Sequence, residues 1–396
     1  MATLAYYPSQ QHASLFRAKQ HQHSANQLEH DTGVPDGFPE KLHSPLAWTR
    51  DEIEKRRDDW IVELGSEDIQ ALGQALASFE ALSVDLSQIS AETFVLPAEL
   101  ARRLRNVSNE VYNGVGFTIV HGINPSRYTP EQNVALYAGI AAHVAPRRGF
   151  LDRGAKKVLC HVVNALGESA GEQDKTPGFT NGPLSFHSDM CEVLSLYALD
   201  VAPEGGRTLV SSAWQVYNDL AARRPDILQT LADDWVLDTF ADYSKFPPIS
   251  TPFIHKVADD KVIWRFSRYP ITGFSARKRN PTLPPPTPAQ IEAIDAVHFM
   301  AEANSMALPM QKGDMVFIND MAILHAREPF SEGGVFLQRH LLKFYLSDPE
   351  QTWPVPPAVA DAWKKIYGPN SEEGVRNETW SVRWGAGQED GWASNG

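Results

Sequence analysis

Cysteine is almost absent: Cys160 and Cys191 are the two thiols in 396 residues. Two are too few for a disulfide framework, and both sit in apolar runs, which reads them as buried free thiols. No apolar run approaches the length of a membrane span, so no membrane partner is expected. The first residues lack a basic stretch followed by an apolar one, and Ser394-Asn395-Gly396 is not a peroxisomal address. Neither route is expected, and a reducing cytoplasmic setting is. Basic residues are in deficit, 36 against 49 acidic, for a formal net charge of −13. A nucleic-acid partner is not expected, because phosphate binding needs a basic face. A local cationic pocket for a small-molecule substrate remains open. No internal repeat is visible.

What is present suits a globular chain, with 42% hydrophobic and 21% charged residues, ten Trp and 18 Phe. Residues 1–40 are rich in Gln, His and Ser and read as a flexible, solvated tail. Metal binding by His21 and His23 is the alternative there. Residues 41–380 show no break in composition and read as one catalytic domain, followed by a C-terminal tail over 381–396. Thr49 to Glu52 is a capping-box pattern. Helices are expected over 69–82, 96–112, 130–142, 213–234 (broken at Pro225) and 289–303. Strands are expected over 115–120, 157–163, 193–201, 208–212, 315–318 and 336–346, and a hairpin over 253–267. Short strands with helices packed outside predict a mainly β fold, a jelly roll or cupin-like double sheet.

The densest chemical signal is Gly182-Pro183-Leu184-Ser185-Phe186-His187-Ser188-Asp189. In an extended strand, residues i and i+2 share a face, so His187 and Asp189 present an imidazole and a carboxylate together. A second histidine, His325, follows the apolar run 321–324. Two histidines and one carboxylate leave one face of a metal open, the arrangement of non-heme Fe(II) oxygenases. By itself His-x-Asp is weak, because a chain with 13 His holds about one by chance. The alternative is an exposed strand bearing a polar pair, with His325 as a core histidine.

The order His187-x-Asp189, Gly205-Gly206-Arg207-Thr208, His325 and Arg339-His340-Leu341-Leu342-Lys343 resembles the TauD/TfdA family of Fe(II)- and 2-oxoglutarate-dependent dioxygenases, most of all its larger, fungal-type members. The resemblance covers about residues 95–350 and, more loosely, 37–48. It implies a double-stranded β-helix. It implies that His187, Asp189 and His325 ligate Fe(II), and that Arg339 and Thr208 hold the distal carboxylate of 2-oxoglutarate. A guanidinium fork suits that carboxylate. The alternative for Arg339 is a surface arginine or one paired with a protein carboxylate. The implied reaction uses O2, converts 2-oxoglutarate to succinate and CO2, and oxidises an unactivated C–H bond by hydroxylation, desaturation or ring closure.

Lys343 stands where taurine-acting relatives carry a substrate-binding arginine. It points to a small anionic or amino-acid-like substrate, or else is a solvated strand lysine. His161 faces either the pocket or the core. Asn181 either touches substrate or caps a turn. Arg268, with Trp264, Arg265 and Tyr269, either covers the site or packs inside. A Zn-dependent hydrolase and a non-catalytic small-molecule-binding protein are the competing readings of the same barrel.

Overall fold

The computed structural model describes residues 4–25, 33–165, 176–275, 277–333 and 339–384, and of residues 21–25 only the backbone. In chain order the strands of its two main sheets are β1 (Ile61–Glu63), β2 (Phe117–His121), β3 (Arg147–Gly149), β4 (Cys160–Val163), β5 (Leu184–His187) and β6 (Val193–Asp200). They continue with β7 (Thr208–Ser212), β8 (Met306–Ala307), β9 (Met315–Asn319), β10 (Ile323–Arg327) and β11 (His340–Ser347). A seven-stranded sheet runs β1-β2-β9-β6-β11-β3, with β4 also on β11, and a four-stranded sheet runs β8-β7-β10-β5. Apart from the parallel pair β1/β2, the pairings are antiparallel. This is the expected double sheet. Residues 336–338 of the expected last strand lie outside the described residues.

Period-two alternation decides what faces the space between the sheets. Leu194 and Leu196 of β6 and Leu341 and Lys343 of β11 line that space. Tyr197 and Phe344 point the other way, toward α4 (Pro130–Val144) of the helical layer formed with α2 (Ser66–Ala81) and α3 (Ala98–Asn113). Tyr197 donates its hydroxyl proton to Asn133 Oδ1 at 2.8 Å, and Phe344 stacks on Tyr137 with centroids 4.4 Å apart.

The helices start where their caps dictate. Thr129 and Gln132 cap α4 reciprocally, at 3.1 and 3.2 Å, with Pro130 in the first turn. Gly139 lets α4 approach closely, since a Cβ there would sit 2.5 Å from the Phe94 ring. In α3, Leu100, Leu104, Val107 and Val111 recur every three or four residues and are buried against the sheet. The expected helix over 213–234 is two, α5 (Ala213–Arg223) and α6 (Pro225–Ala232), because Pro225 cannot continue the first. α7 (Pro288–Ala303) packs across the back of β5 and β7, and α8 (Ala360–Tyr367) packs at β3.

The expectation of a solvated tail over 1–40 is corrected for its described part. Residues 10–25 form a helix, α1 (Gln10–Ala25), that packs on α7. Tyr6, His12 and Ala13 are buried, Phe16 stacks on Phe299 with centroids 5.5 Å apart, and Lys19 pairs with Glu292. A polar composition concealed a few apolar residues spaced to meet one helix face. The side chains of His21 and His23 lie outside the described residues. At the other end, Thr379 bridges to Lys157, and Trp380, Val382 and Trp384 pack on the core, so residues 381–384 are attached as well. Residues 385–396 lie outside the described residues.

Candidate active site

His187 closes β5, and His325 is its register partner in the middle of β10. Directly opposed residues of an antiparallel pair rise from the same face, and the two ring centroids are 4.1 Å apart. Beyond His187 the chain leaves the sheet. Ser188 donates its N–H to the Phe266 carbonyl at 2.8 Å, and Phe266 donates its own to Ser188 Oγ at 3.0 Å. Asp189 then donates its N–H to Asp320 Oδ1 at 2.9 Å. The turn brings Asp189 Oδ1 to 3.7 Å from His187 Nε2. One ligand atom from each of His187, Asp189 and His325 lies within 4.8 Å of the others.

The donor set fits a divalent ion of the kind expected. Asp189 Oδ1 and His325 Nδ1 are buried without a hydrogen-bond partner. His187 Nδ1 is 2.8 Å from the Ser185 carbonyl. An N–H there is the tautomer that accommodates the contact, and it leaves Nε2 as a lone-pair donor. Burial lowers the pKa of both imidazoles, and for His325 the neighbouring His187 adds to it. Both rings are thus held neutral, as a ligand requires. For Asp189, burial pushes the carboxyl up, but Lys343 and the two histidines outweigh it and hold it below its ordinary value.

Beside the triad, a cavity opens between the sheets, with Val162, Phe179, Leu194, Leu196 and Leu341 as its apolar wall. Three cations, Arg327, Arg339 and Lys343, line it against one carboxylate, Asp189. Arg339 is buried and donates Nε–H to the Gly206 carbonyl at 3.0 Å. Gly206 has φ +68°, and a Cβ there would lie 3.1 Å from Arg339 Cδ, which is why the turn before Thr208 needs glycine. Thr208 lines the cavity directly opposite Arg327 in the β7/β10 register. Arg327 donates to the carbonyls of Gly178, Thr180 and Gly182, while its Nε lacks a partner. The guanidinium carbons of Arg327 and Arg339 lie 5.0 and 5.6 Å from the centroid of the Phe330 ring. Burial pushes Arg327 down to about 10, and burial with the charge of Arg327 pushes Arg339 down to about 9. An anion entering this end relieves both.

The family model for the taurine catabolism dioxygenase TauD, TfdA family matches residues 79–345. The chain is also 31% identical to a taurine hydroxylase-like protein, SAT17, of Stachybotrys chartarum over 339 residues, covering 84% of this chain and 86% of that one. This chain belongs to the TauD/TfdA family of Fe(II)- and 2-oxoglutarate-dependent dioxygenases. Solved structures share the fold of this dioxygenase. An asparagine oxygenase in complex with Fe(II), 2S,3S-3-hydroxyasparagine and succinate superimposes with a TM-score of 0.56 at 13% identity, over 73% of this chain and 94% of that one. The non-heme iron oxygenase OrfP in complex with Fe and alpha-ketoglutaric acid gives 0.53 at 16% identity, over 73% and 94%.

Of the residues singled out in the sequence, the dioxygenase gathers His187, Asp189, His325, Thr208, Arg339 and Lys343 around one cavity. Lys343 lines the cavity, and its Nζ donates to Asp189 Oδ2 at 2.9 Å. His161, Asn181 and Arg268 are not among the residues that line this cavity. His161 lies on the far side of β4, 2.7 Å from His340 Nε2 and 2.6 Å from the Ser381 carbonyl, in a separate surface cleft with Tyr128 and Trp384. Asn181 accepts the Phe330 N–H at its carbonyl, in the segment leading to β5. Arg268 is fully buried behind the four-stranded sheet, pinning the Tyr6 and Ala5 carbonyls at 3.1 and 2.9 Å and pairing with Asp295 at 2.8 Å.

Replacing Arg268 by methionine is therefore expected to lower the stability of the dioxygenase by about 3 kcal/mol, the scale for breaking a buried pair. The urea midpoint should fall while the 2-oxoglutarate concentration required for turnover stays unchanged. A changed requirement would return Arg268 to the site.

Sequence reasoning missed two residues. Arg327 stands at i+2 from His325 and shares its face, a signal that strand alternation carries. Asp320 had no local signal. It reaches the Asp189 N–H, the Cys191 N–H and, at 3.5 Å, His325 Nδ1 only through the fold.

Proposed function

We propose that this dioxygenase oxidises a C–H bond of a small anionic, amino-acid-like molecule, with Fe(II) held by His187, Asp189 and His325. The observation that carries the proposal is the charge of the cavity: three buried cations face one carboxylate within an apolar wall. Buried charge calls for a partner, and 2-oxoglutarate supplies two negative charges. A divalent metal adds positive charge again, so an anionic substrate remains favoured. The asparagine oxygenase of similar fold, bound to a hydroxylated amino acid, supports that substrate class.

Bound at the triad, Fe(II) with 2-oxoglutarate and O2 supplies the oxidising power, and 2-oxoglutarate leaves as succinate and CO2. The protein provides orientation and dryness. Arg339 anchors the distal carboxylate of 2-oxoglutarate as a fork, and the Thr208 hydroxyl assists it. Arg327 draws the segment carrying Gly178 and Phe179 against β10, which closes one wall. Leu194, Leu196 and Leu341 exclude water from the middle of the cavity. A cation dedicated to a cosubstrate carboxylate has no use in a hydrolase. The two buried free thiols suit a reducing, cytoplasmic setting.

Anaerobic addition of Fe(II) and 2-oxoglutarate is expected to give a weak visible charge-transfer band that His187→Ala and Asp189→Ala remove. A metal-loaded protein without the band would end the oxygenase reading. Among small acids screened for stimulated succinate release, amino acids should outperform their amides. Equal stimulation by both would remove the anionic substrate class.

A further inference from the structure

Asp189 has two carboxylate oxygens in opposite surroundings. Oδ1 faces His187 Nε2 at 3.7 Å and has no hydrogen-bond partner. Oδ2 accepts from the Lys343 ammonium at 2.9 Å. Both side chains are almost closed to solvent, 2% exposed for Asp189 and 7% for Lys343. Lys343 stems from β11, two residues past Leu341 on the cavity face, and its Nζ also lies 5.4 Å from the Tyr345 ring centroid. The Asp189 main chain is held by Asp320. The carboxylate is thus anchored on two sides, and Oδ1 is the oxygen left to the ligand cluster.

We propose that Lys343 is a positioning residue: its ammonium fixes which oxygen of Asp189 meets the metal, and its charge opposes the dication while favouring the dianionic cosubstrate. This rests on reading the site as an Fe(II)/2-oxoglutarate centre. A carboxylate can meet a divalent ion through one oxygen or two. The charge-assisted bond to Oδ2 occupies the second oxygen and leaves coordination to Oδ1. Formal charge gives the second half. With Arg327, Arg339 and Lys343 beside them, a divalent ion, one carboxylate and a dianionic cosubstrate leave positive charge in excess, and Lys343 places one of those cations on Asp189 itself. In a buried site each such charge weighs heavily, because little solvent screens it.

Removing the charge is predicted to act with opposite sign on the two ligands. Lys343 repels an incoming dication and attracts an incoming dianion. In Lys343→Met, Co(II), used as a spectroscopic stand-in, should bind about fivefold more tightly, because the nearby like charge is gone. 2-Oxoglutarate should bind the Co(II)-loaded protein about tenfold more weakly, because an attracting charge is gone. Lys343→Arg keeps the charge and should restore 2-oxoglutarate binding toward the native value.

The test titrates Co(II) by its d–d absorption and then 2-oxoglutarate by calorimetry, with no turnover required. Should Lys343→Met fold poorly, Lys343→Gln removes the charge, keeps a donor for Oδ2 and predicts the same pair of opposite shifts. Opposite shifts support the inference. Parallel weakening of both ligands, the mark of a merely structural lysine, overturns it, as does an unchanged pair of affinities. A native protein whose Co(II) spectrum is unaffected by His187→Ala would instead remove the metal-site reading on which the inference stands.

Discussion

Replacing His325 by alanine is expected to abolish metal-dependent succinate formation while the protein stays folded. His325 is the one triad member that comes from β10, and its imidazole lies directly across from His187. Loss of an outer-shell partner of a metal ligand lowers affinity roughly 10–100-fold, and loss of a ligand lowers it further. The fold should tolerate the change at about 1–2 kcal/mol, because the ring is neutral and, among the described residues, its Nδ1 makes no hydrogen bond and meets Asp320 Oδ1 only at 3.5 Å. The checks are Fe(II) titration, the charge-transfer band and a urea midpoint on the same preparation. Native metal affinity in a folded variant would mean that the two histidines do not share an ion.

Replacing Arg339 by alanine is expected to raise the 2-oxoglutarate concentration needed for half-maximal turnover by roughly 100-fold, or about 3 kcal/mol, within the range for truncating one partner of a buried charge pair. Among the described residues, Arg339 makes one hydrogen bond, from Nε–H to the Gly206 carbonyl. The rest of its fork is available to a ligand carboxylate. Arg339→Lys should fall between, because an ammonium replaces the fork by a point charge. Metal affinity in the absence of 2-oxoglutarate should be unchanged. A near-native 2-oxoglutarate requirement in Arg339→Ala would move the anchor to Arg327, the other guanidinium beside Phe330.

Much of this was legible because the chemistry follows strand alternation. Leu341 and Lys343 are two apart in β11 and reach the same cavity, whereas Asp189, two past His187, lies beyond the end of β5 and is brought beside it by the turn at Ser188. Helix ends were legible at Thr49 and Pro225, where a cap or a missing N–H acts within one turn of chain. The N-terminal helix was hidden because its partner is α7, more than 250 residues away, and its own composition is polar. Arg268 and His161 sat in suggestive strings, but period alone does not say which side of a sheet a residue faces.

The local pattern by itself determined the strands, the helix caps and the order of the chemistry-bearing residues, since backbone period and capping act over a few residues. Tertiary structure alone decided the pairing of β5 with β10 that sets His187 against His325. It also decided the reach of Asp320 to the Asp189 N–H and of Lys343 to the Asp189 carboxylate. Those outcomes depend on register and burial between segments far apart in the chain. A buried charge takes whichever partner the fold places within reach.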